Sequence, residues 1–239
     1  MSAAKPFVSV LTPTYNRRKF LPALIECYKQ QTYPKDRMEW VIVDDGSDKV
    51  EDIFAEASKT IPNIVYIRVD EKLLIGQKRN MLNQYAKGEI MVAMDDDDYY
   101  PPERVSHVVT KFAQNPKIDL AGSSEMYLYF RTDGRIVRAG PYGPNHCTNG
   151  TMAYRRRYML THKYDETQTH AEEKSFLDDY KNPMIQLDAM KCILVMCHSD
   201  NTFDKNTIRN ASNPLLKETD LKIRTFIRDK GLRDFYTAC

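Results

Sequence analysis

The sequence has no glycine-rich phosphate loop. Its first strand-like run, FVSVLTPTY (7–15), is followed by NRRKF where a dinucleotide fold would carry GxGxxG, and GxxxxGK[ST] occurs nowhere in the 239 residues. Any diphosphate must therefore be held by basic side chains and a metal, not by a cradle of backbone N–H groups. Disulfides are equally unsupported: the five cysteines (Cys27, Cys147, Cys192, Cys197, Cys239) include no CxxC and no even framework, the pattern of reduced thiols in a cytoplasmic setting. No apolar run approaches the roughly 20 residues of a membrane-spanning helix. The start, MSAAKPFVSVLTPTYNRR, does not read as a secretory signal, because its apolar run is short and is interrupted by Pro13, Asn16 and two arginines. In a protein that stays out of the secretory pathway, the sequons at Asn149 and Asn210 are chance matches. The net charge of +2 provides no basic field for nucleic acid. Internal repeats, low-complexity tracts and linkers are also missing, so one domain over 1–239 is the economical reading.

What is present is an alternation. Strand-like runs at 7–15, 39–47, 63–70 and 89–95 are separated by helical spacing over 17–31, 50–60, 76–88 and 101–116. Gly88 is the expected stop of the third helix, and prolines open the fourth. Strands alternating with helices of this length predict an α/β fold with a mostly parallel sheet flanked by helices. Beyond about residue 116 the rhythm becomes mixed. A hairpin is expected around Asp133-Gly134, then a polar loop, an ambiguous GTMAYRRRYM, a short helix in HAEEKSFLDDYK (170–181), a strand in MKCILVMCH (190–198) and an amphipathic helix over NPLLKETDLKIRTFIRDKGL. Trp40 lies within a strand-like run and reads as core.

Chemistry concentrates at the strand ends, where open parallel sheets bind ligands. The first strand ends in Thr12-Pro13-Thr14-Tyr15-Asn16-Arg17, the second in Asp44-Asp45-Gly46-Ser47 and the fourth in Asp95 to Asp98. A helix cap uses one oxygen acceptor, whereas four consecutive carboxylates call for positive charge. Mg²⁺ or Mn²⁺ takes oxygen ligands, accepts one or two carboxylates and leaves positions for phosphates. Lys78 and Arg79, in GQKRN, are the basic residues expected to help hold a diphosphate, although a solvated helix face explains their spacing as well.

SVLTPTYNR, VIVDDGSD, IGQKRN, MDDDDYYPPERV and GTMAYRR stand in the order and approximate spacing of the inverting family 2 glycosyltransferases of the GT-A fold, which the chain resembles over roughly residues 7 to 200. The resemblance implies transfer of a hexose from a nucleotide-diphosphate sugar, a UDP-sugar first, to a glycan or other hydroxyl acceptor with inversion. It divides the chain into a nucleotide-sugar half (about 1–116) and an acceptor and catalytic-base half (about 117–239). It implies that Thr12, Tyr15 and Asp44 or Asp45 meet the donor base and ribose, that Asp95 and Asp96 lie at the donor, and that Asp97 is the direct ligand of Mn²⁺ or Mg²⁺. His198 is expected to reach the metal or diphosphate, ahead of a donor-covering loop at Ser199-Asp200-Asn201-Thr202. The base falls in Glu172-Glu173, where the family has Glu-Asp. Helical spacing would put Glu173 on the face of Phe176, Leu177 and Tyr180, favouring Glu173 as base and Glu172 as its support. Two other readings stand beside this one: a sugar nucleotidyltransferase, which would usually carry a glycine-rich basic loop after the first strand, and a non-catalytic module binding a nucleotide sugar or glycan.

Overall fold

Strand β1 (Val8–Thr14) is buried along its whole length, and the main sheet is built outward from it. The computed structural model describes residues 4–168, 171–198 and 213–238. In parallel with β1 runs β2 (Met38–Asp44), paired from Val8↔Met38 to Thr14↔Asp44, and β3 (Ile64–Arg68) lies parallel on its far side. The other edge of β1 meets β4 (Ile90–Ala93), but only from Val8↔Ile90 to Leu11↔Ala93. Pro13 has no N–H to carry a ladder, and past Leu11 the two strands diverge. The gap lies between β1 and β4, where the strand order reverses, the position at which open α/β sheets bind ligands. Helices α1 (Leu21–Lys29), α2 (Glu51–Ser58), α3 (Ile75–Tyr85) and α4 (Arg104–Gln114) follow the four strands in turn, giving the alternation that the periodicity predicts.

The second half joins the same sheet. It supplies β5 (Leu120–Gly122), the hairpin β6 (Met126–Phe130) and β7 (Arg135–Ala139), β8 (Ala153–Arg155), β9 (Met184–Gln186), β10 (Leu194–Cys197) and β11 (Leu216–Thr219). The described residues form a seven-stranded sheet in the order β3-β2-β1-β4-β8-β5-β9, with β8 antiparallel to both its neighbours, and a second sheet in the order β10-β6-β7-β11. Gly134 takes a φ of 72° at the turn of the expected hairpin.

Several sequence expectations are corrected. The third helix stops at Tyr85, with Ala86 already extended, so Gly88 is not its cap; Gly88 instead donates its N–H to Ser9 Oγ at 2.7 Å. GTMAYRRRYM is both things, β8 and then the single turn α5 (Arg156–Met159). Among the described residues 171–181 only α6 (Glu173–Phe176) is helical, and Asp178, Asp179 and Tyr180 turn left-handed at φ 48°, 53° and 60°. The C-terminal amphipathic helix is also overturned. Leu216–Thr219 adds to the open edge of β7 as β11, α7 (Ile223–Phe226) is one turn, and α8 (Lys230–Ala238) is the only longer helix of that region. Cross-strand pairing outweighs helical periodicity there.

Trp40 anchors the core beneath the site. It stacks on Tyr28 at 4.4 Å and takes Phe54 edge-on at 5.3 Å. Its indole Nε1 donates to Thr12 Oγ1 (2.9 Å), which donates to the Met94 carbonyl (2.7 Å). Thr12, expected at the donor, is thus a fully buried link that fixes the end of β4. Replacing it with isosteric valine strands a buried donor and a buried acceptor. Thr12→Val should cost about 1–3 kcal/mol in denaturant unfolding while leaving nucleotide binding intact; a stable variant that no longer binds nucleotide would return Thr12 to the donor pocket.

Candidate functional site

Where β1 and β4 part, an open crevice of about 970 Å³ is lined by the end of β1, the Asp95–Asp98 turn, the start of α3 and Glu172-Glu173. Helix α3 organises it with four successive roles in GQKRN. Gly76 lets the helix touch the carbonyl of Asp165, where any Cβ would collide with backbone. Lys78 Nζ pairs with Asp45 and donates to the Thr14 carbonyl at 3.3 Å. Arg79 Nε donates to Glu172 Oε1 at 2.7 Å, and its Nη1 reaches Asp95 Oδ1 at 3.2 Å. Asn80 clasps the backbone of Tyr164, donating to its carbonyl (2.9 Å) and accepting from its N–H (3.0 Å). One polar helix start, its successive side chains fanning out around the axis, therefore ties β2, the acidic turn and the segment leading to Glu172 together.

The acidic turn is not left uncompensated. Asp96 lies 4.0 Å from Arg17 Nε and Asp97 lies 3.8 Å from Arg17 Nη2. Asp97 Oδ2 is also 3.5 Å from His198 Nε2, and the His198 ring stacks on Phe20 at 4.7 Å. Asp98 Oδ1 accepts the Met196 N–H at 2.7 Å, and its carbonyl accepts from Tyr236 Oη at 2.9 Å. The compensation is incomplete at Asp96, whose carboxyl is raised well above the usual range by burial first and by the charge of Asp97 second. Among the described residues no three His, Cys, Asp or Glu side chains converge as a metal cage. Asp97 and His198 set one carboxylate and one imidazole side by side at this turn.

Glu172 and Glu173 are neighbours with opposite surroundings. Glu172 is buried and bound to Arg79. Arg79 is closed in further by Asn149: in the amide orientation that satisfies both neighbours, Asn149 Nδ2 donates to Tyr164 Oη (2.7 Å) and Oδ1 accepts from Arg79 Nη1 (2.5 Å). Glu173 is half-buried and lines the crevice. Burial, then the charge of Glu172, raises its carboxyl above the ordinary 4.5.

The structure brings Tyr15, Asp45, Lys78, Arg79, Asp95, Asp96, Asp97, Glu172 and Glu173 to the crevice. Thr12 and Asp44 lie behind it. Asp44 accepts from the N–H groups of Gly46 (2.8 Å) and Val50 (3.0 Å) and from Tyr66 Oη (2.5 Å). Asp45 is engaged by Lys78 and by the Leu73 N–H at 2.7 Å. Lys78 and Arg79 are themselves committed to carboxylates. Three further residues enter. Arg17 is one of the two arginines after TPTYN, Lys72 stands 4.5 Å over the Tyr15 ring, and Gly150 leaves room beside Asp95 Oδ2 that a Cβ would narrow. Only the paired arginines left a mark legible in the sequence. The expected donor-covering segment 199–202, the sequon at Asn210 and Cys239 lie outside the described residues. The four described cysteines are buried free thiols, and no helix among the described residues is long and apolar enough to cross a membrane.

Residues 9–171 match the family described as glycosyl transferase family 2. A Haemophilus influenzae protein described as an uncharacterized glycosyltransferase is 35% identical over 112 residues, 47% of this chain and 36% of its own length. A Methanocaldococcus jannaschii protein of the same description is 27% identical over 203 residues, covering 76% of this chain and 69% of that protein. This chain therefore spans only part of the length of these curated relatives. Among solved structures, Staphylococcus aureus TarS 1-349 in complex with UDP-GlcNAc matches with a TM-score of 0.69 at 20% identity, over 87% of this chain and 62% of that one. The Pyrobaculum calidifontis mannosyltransferase PcManGT in complex with GDP-Man and Mn²⁺ matches with a TM-score of 0.66 at 16% identity, over 89% and 67%. At such identities the likeness is one of fold.

The unequal glutamates give opposite stability signatures. Glu172→Gln removes the charge bonded to buried Arg79 and should cost about 1.5–3 kcal/mol. For Glu173 the folded-state pKa is raised, so the native state gains stability from its protonation. That stability is fully present below the unfolded value of 4.5 and is lost as pH rises through the raised one. Near neutrality Glu173→Gln should therefore be neutral or stabilising, with the difference from wild type changing as pH falls toward 4.5. Denaturant titrations of both variants across that range check the assignment; a larger loss for Glu173→Gln would reverse it.

Proposed function

Since the chain belongs to glycosyl transferase family 2 and has the GT-A fold, we propose that it transfers a hexose from a nucleotide-diphosphate sugar, a UDP-sugar first, to an acceptor hydroxyl with inversion. The carrying observation is that one crevice is lined by two carboxylate groups of different character: Asp95–Asp97 at the end of β4, and Glu173, whose carboxyl is not taken up by Arg79 as that of Glu172 is. Nothing observed in the crevice favours a nucleotidyltransferase, and β1 is followed by no glycine-rich loop.

Glu173 removes the proton of the acceptor hydroxyl as that oxygen attacks the anomeric carbon. The carbon–oxygen bond to the diphosphate breaks on the opposite face, and the nucleoside diphosphate departs with the electron pair. A single displacement inverts the anomeric centre. Arg17, beside Asp96 and Asp97 on the crevice wall, supplies a cation for the diphosphate. Tyr15 with Lys72 over its ring forms the wall for the base, and Asp45 carries the lone pairs for a base N–H or ribose hydroxyl. The site suits Mn²⁺ or Mg²⁺: Asp97 and His198 would hold it as a sparse donor pair that leaves the remaining positions to phosphate oxygens and water. When bound, such a cation neutralises charge on the leaving diphosphate.

Two substitutions separate these roles. Asp97→Asn should nearly abolish transfer without lowering the melting temperature, and EDTA should do the same to the native protein; full turnover in either case refutes the metal. Glu173→Gln should lower turnover by roughly 10²–10⁴-fold while the nucleotide-sugar dissociation constant barely moves. In the native protein the acid limb of the rate should lie above 4.5, because the raised Glu173 carboxyl must be ionised to act. Calorimetry with UDP, GDP and dTDP tests the base, and tighter binding of GDP or dTDP would displace the uridine assignment.

A further inference from the structure

Two residues before Thr148, which lines the crevice, the loop 141–146 carries aromatic rings that the proposed chemistry does not use. The ring centroids of Tyr142 and His146 are 5.0 Å apart, and His146 stacks on Tyr180 at 4.8 Å and 23°. The three form one ledge, with Tyr142 40% exposed and the other two half-buried.

The ledge is held firmly from both sides. Gln186 Nε2, at the end of β9, donates to the carbonyls of Pro144 (2.7 Å) and His146 (3.3 Å). The Tyr142 N–H donates to the Ser124 carbonyl at 3.1 Å. Tyr180 closes a run of three non-glycine residues in the left-handed region, pinned where the Asp178 and Asp179 N–H groups donate to Ser175 (3.1 Å) and Lys174 (3.0 Å) carbonyls. Asp tolerates that region; a tyrosine there is rare and marks a place where local conformation is given up for position.

The chemistry of the ledge is neutral and amphipathic. Burial lowers the pKa of His146, which disfavours its charged form, and its Nδ1 is buried without a hydrogen-bond partner. The nearby lysines 174 and 181 are paired with Asp178 and Asp179. Phosphate therefore finds no spare cation in this set. Both chain segments of the ledge lead to the crevice: Thr148, two residues past His146, lines it, and so does Glu173, which opens the helical turn just before Tyr180.

We propose that the Tyr142–His146–Tyr180 ledge is a saccharide-binding subsite that holds the acceptor sugar beside Glu173. This rests on the transferase reading. Sugar C–H faces pack on the electron-rich faces of aromatic rings, and the phenol and imidazole edges meet the hydroxyls.

The test is saturation-transfer NMR on the full chain, irradiating aromatic protons in the presence of methyl glucoside, methyl mannoside and methyl N-acetylglucosaminide. Wild type should pass saturation to the C–H protons of at least one glycoside. Tyr180→Ala and Tyr142→Ala should each weaken that glycoside's binding by roughly 2- to 10-fold, while Tyr180→Phe, which keeps the ring face and loses the hydroxyl, weakens it less than Tyr180→Ala and nucleotide-induced thermal shifts stay unchanged. Should Tyr180→Ala not fold, Tyr142→Ala, at the exposed end, carries the test. No saturation of any glycoside in wild type, or undiminished binding in the alanine variants, overturns the ledge. Donor hydrolysis separates the two readings: nucleotide sugars bound and hydrolysed without glycoside binding sink the ledge alone, whereas glycosides on the ledge with no nucleotide sugar bound leave a saccharide site and sink the transferase.

Discussion

Four adjacent carboxylates at one strand end impose the constraint that the rest of the site answers. Two like charges 4 Å apart repel by about 4 kcal/mol at an effective dielectric near 20, and here the run continues for four residues. The chain spreads the load outward to separate elements. Asp95 goes to Arg79 of α3, Asp96 and Asp97 to Arg17 after β1, Asp97 also to His198 after β10, and Asp98 to the backbone of β10. The partners come from three separate stretches of sequence, so the turn gathers the fold around itself. The residual repulsion falls on Asp96, raised by burial and by Asp97, which is where further positive charge would find its electrostatic reward.

The same partners weld the two halves. Arg79 joins the acidic turn to Glu172, while Asn80 and Gly76 hold the 164–166 segment against α3. From the far end of the chain, Tyr236 of α8 reaches the Asp98 carbonyl and lies 3.8 Å from Cys27 of α1. Residues beyond the family match at 9–171 thus help to position the acidic turn within it. The crevice is an assembly product, in which neither half alone presents its walls.

Legibility in the sequence tracks the range of the interaction. The first four strands and helices are set by periodicity within a dozen residues and are readable from it. The C-terminal segment is not, because β11 exists only through its ladder to β7, some 80 residues earlier in the chain. The acidic run announces a site without revealing its partners. Alternation along a strand explains the ambiguity at Asp44-Asp45: successive side chains leave opposite faces, so Asp44 turns to Val50 and Tyr66 under α2 while Asp45 turns to Lys78 on the crevice side. Thr12 looks like a site residue because it ends an apolar run, yet Trp40 claims it from the next strand. Residue type marks the neighbourhood, and only the fold assigns the direction.

Direction also divides Glu172 from Glu173. Two glutamates one peptide apart would titrate alike in an extended chain. Here a single turn of helix, ended by a left-handed segment, sends one toward Arg79 and leaves the other half-buried at the crevice wall. The ion pair commits the Glu172 carboxylate to the Arg79 guanidinium. Burial first and the charge of Glu172 second raise the Glu173 carboxyl, because a like charge nearby disfavours a second ionisation. A carboxylate with a raised pKa is a stronger base than its free counterpart, and one without a guanidinium partner keeps its lone pairs for a ligand. The two carboxyls are thus set apart by their surroundings: Arg79 takes up Glu172, while Glu173 is left to line the crevice.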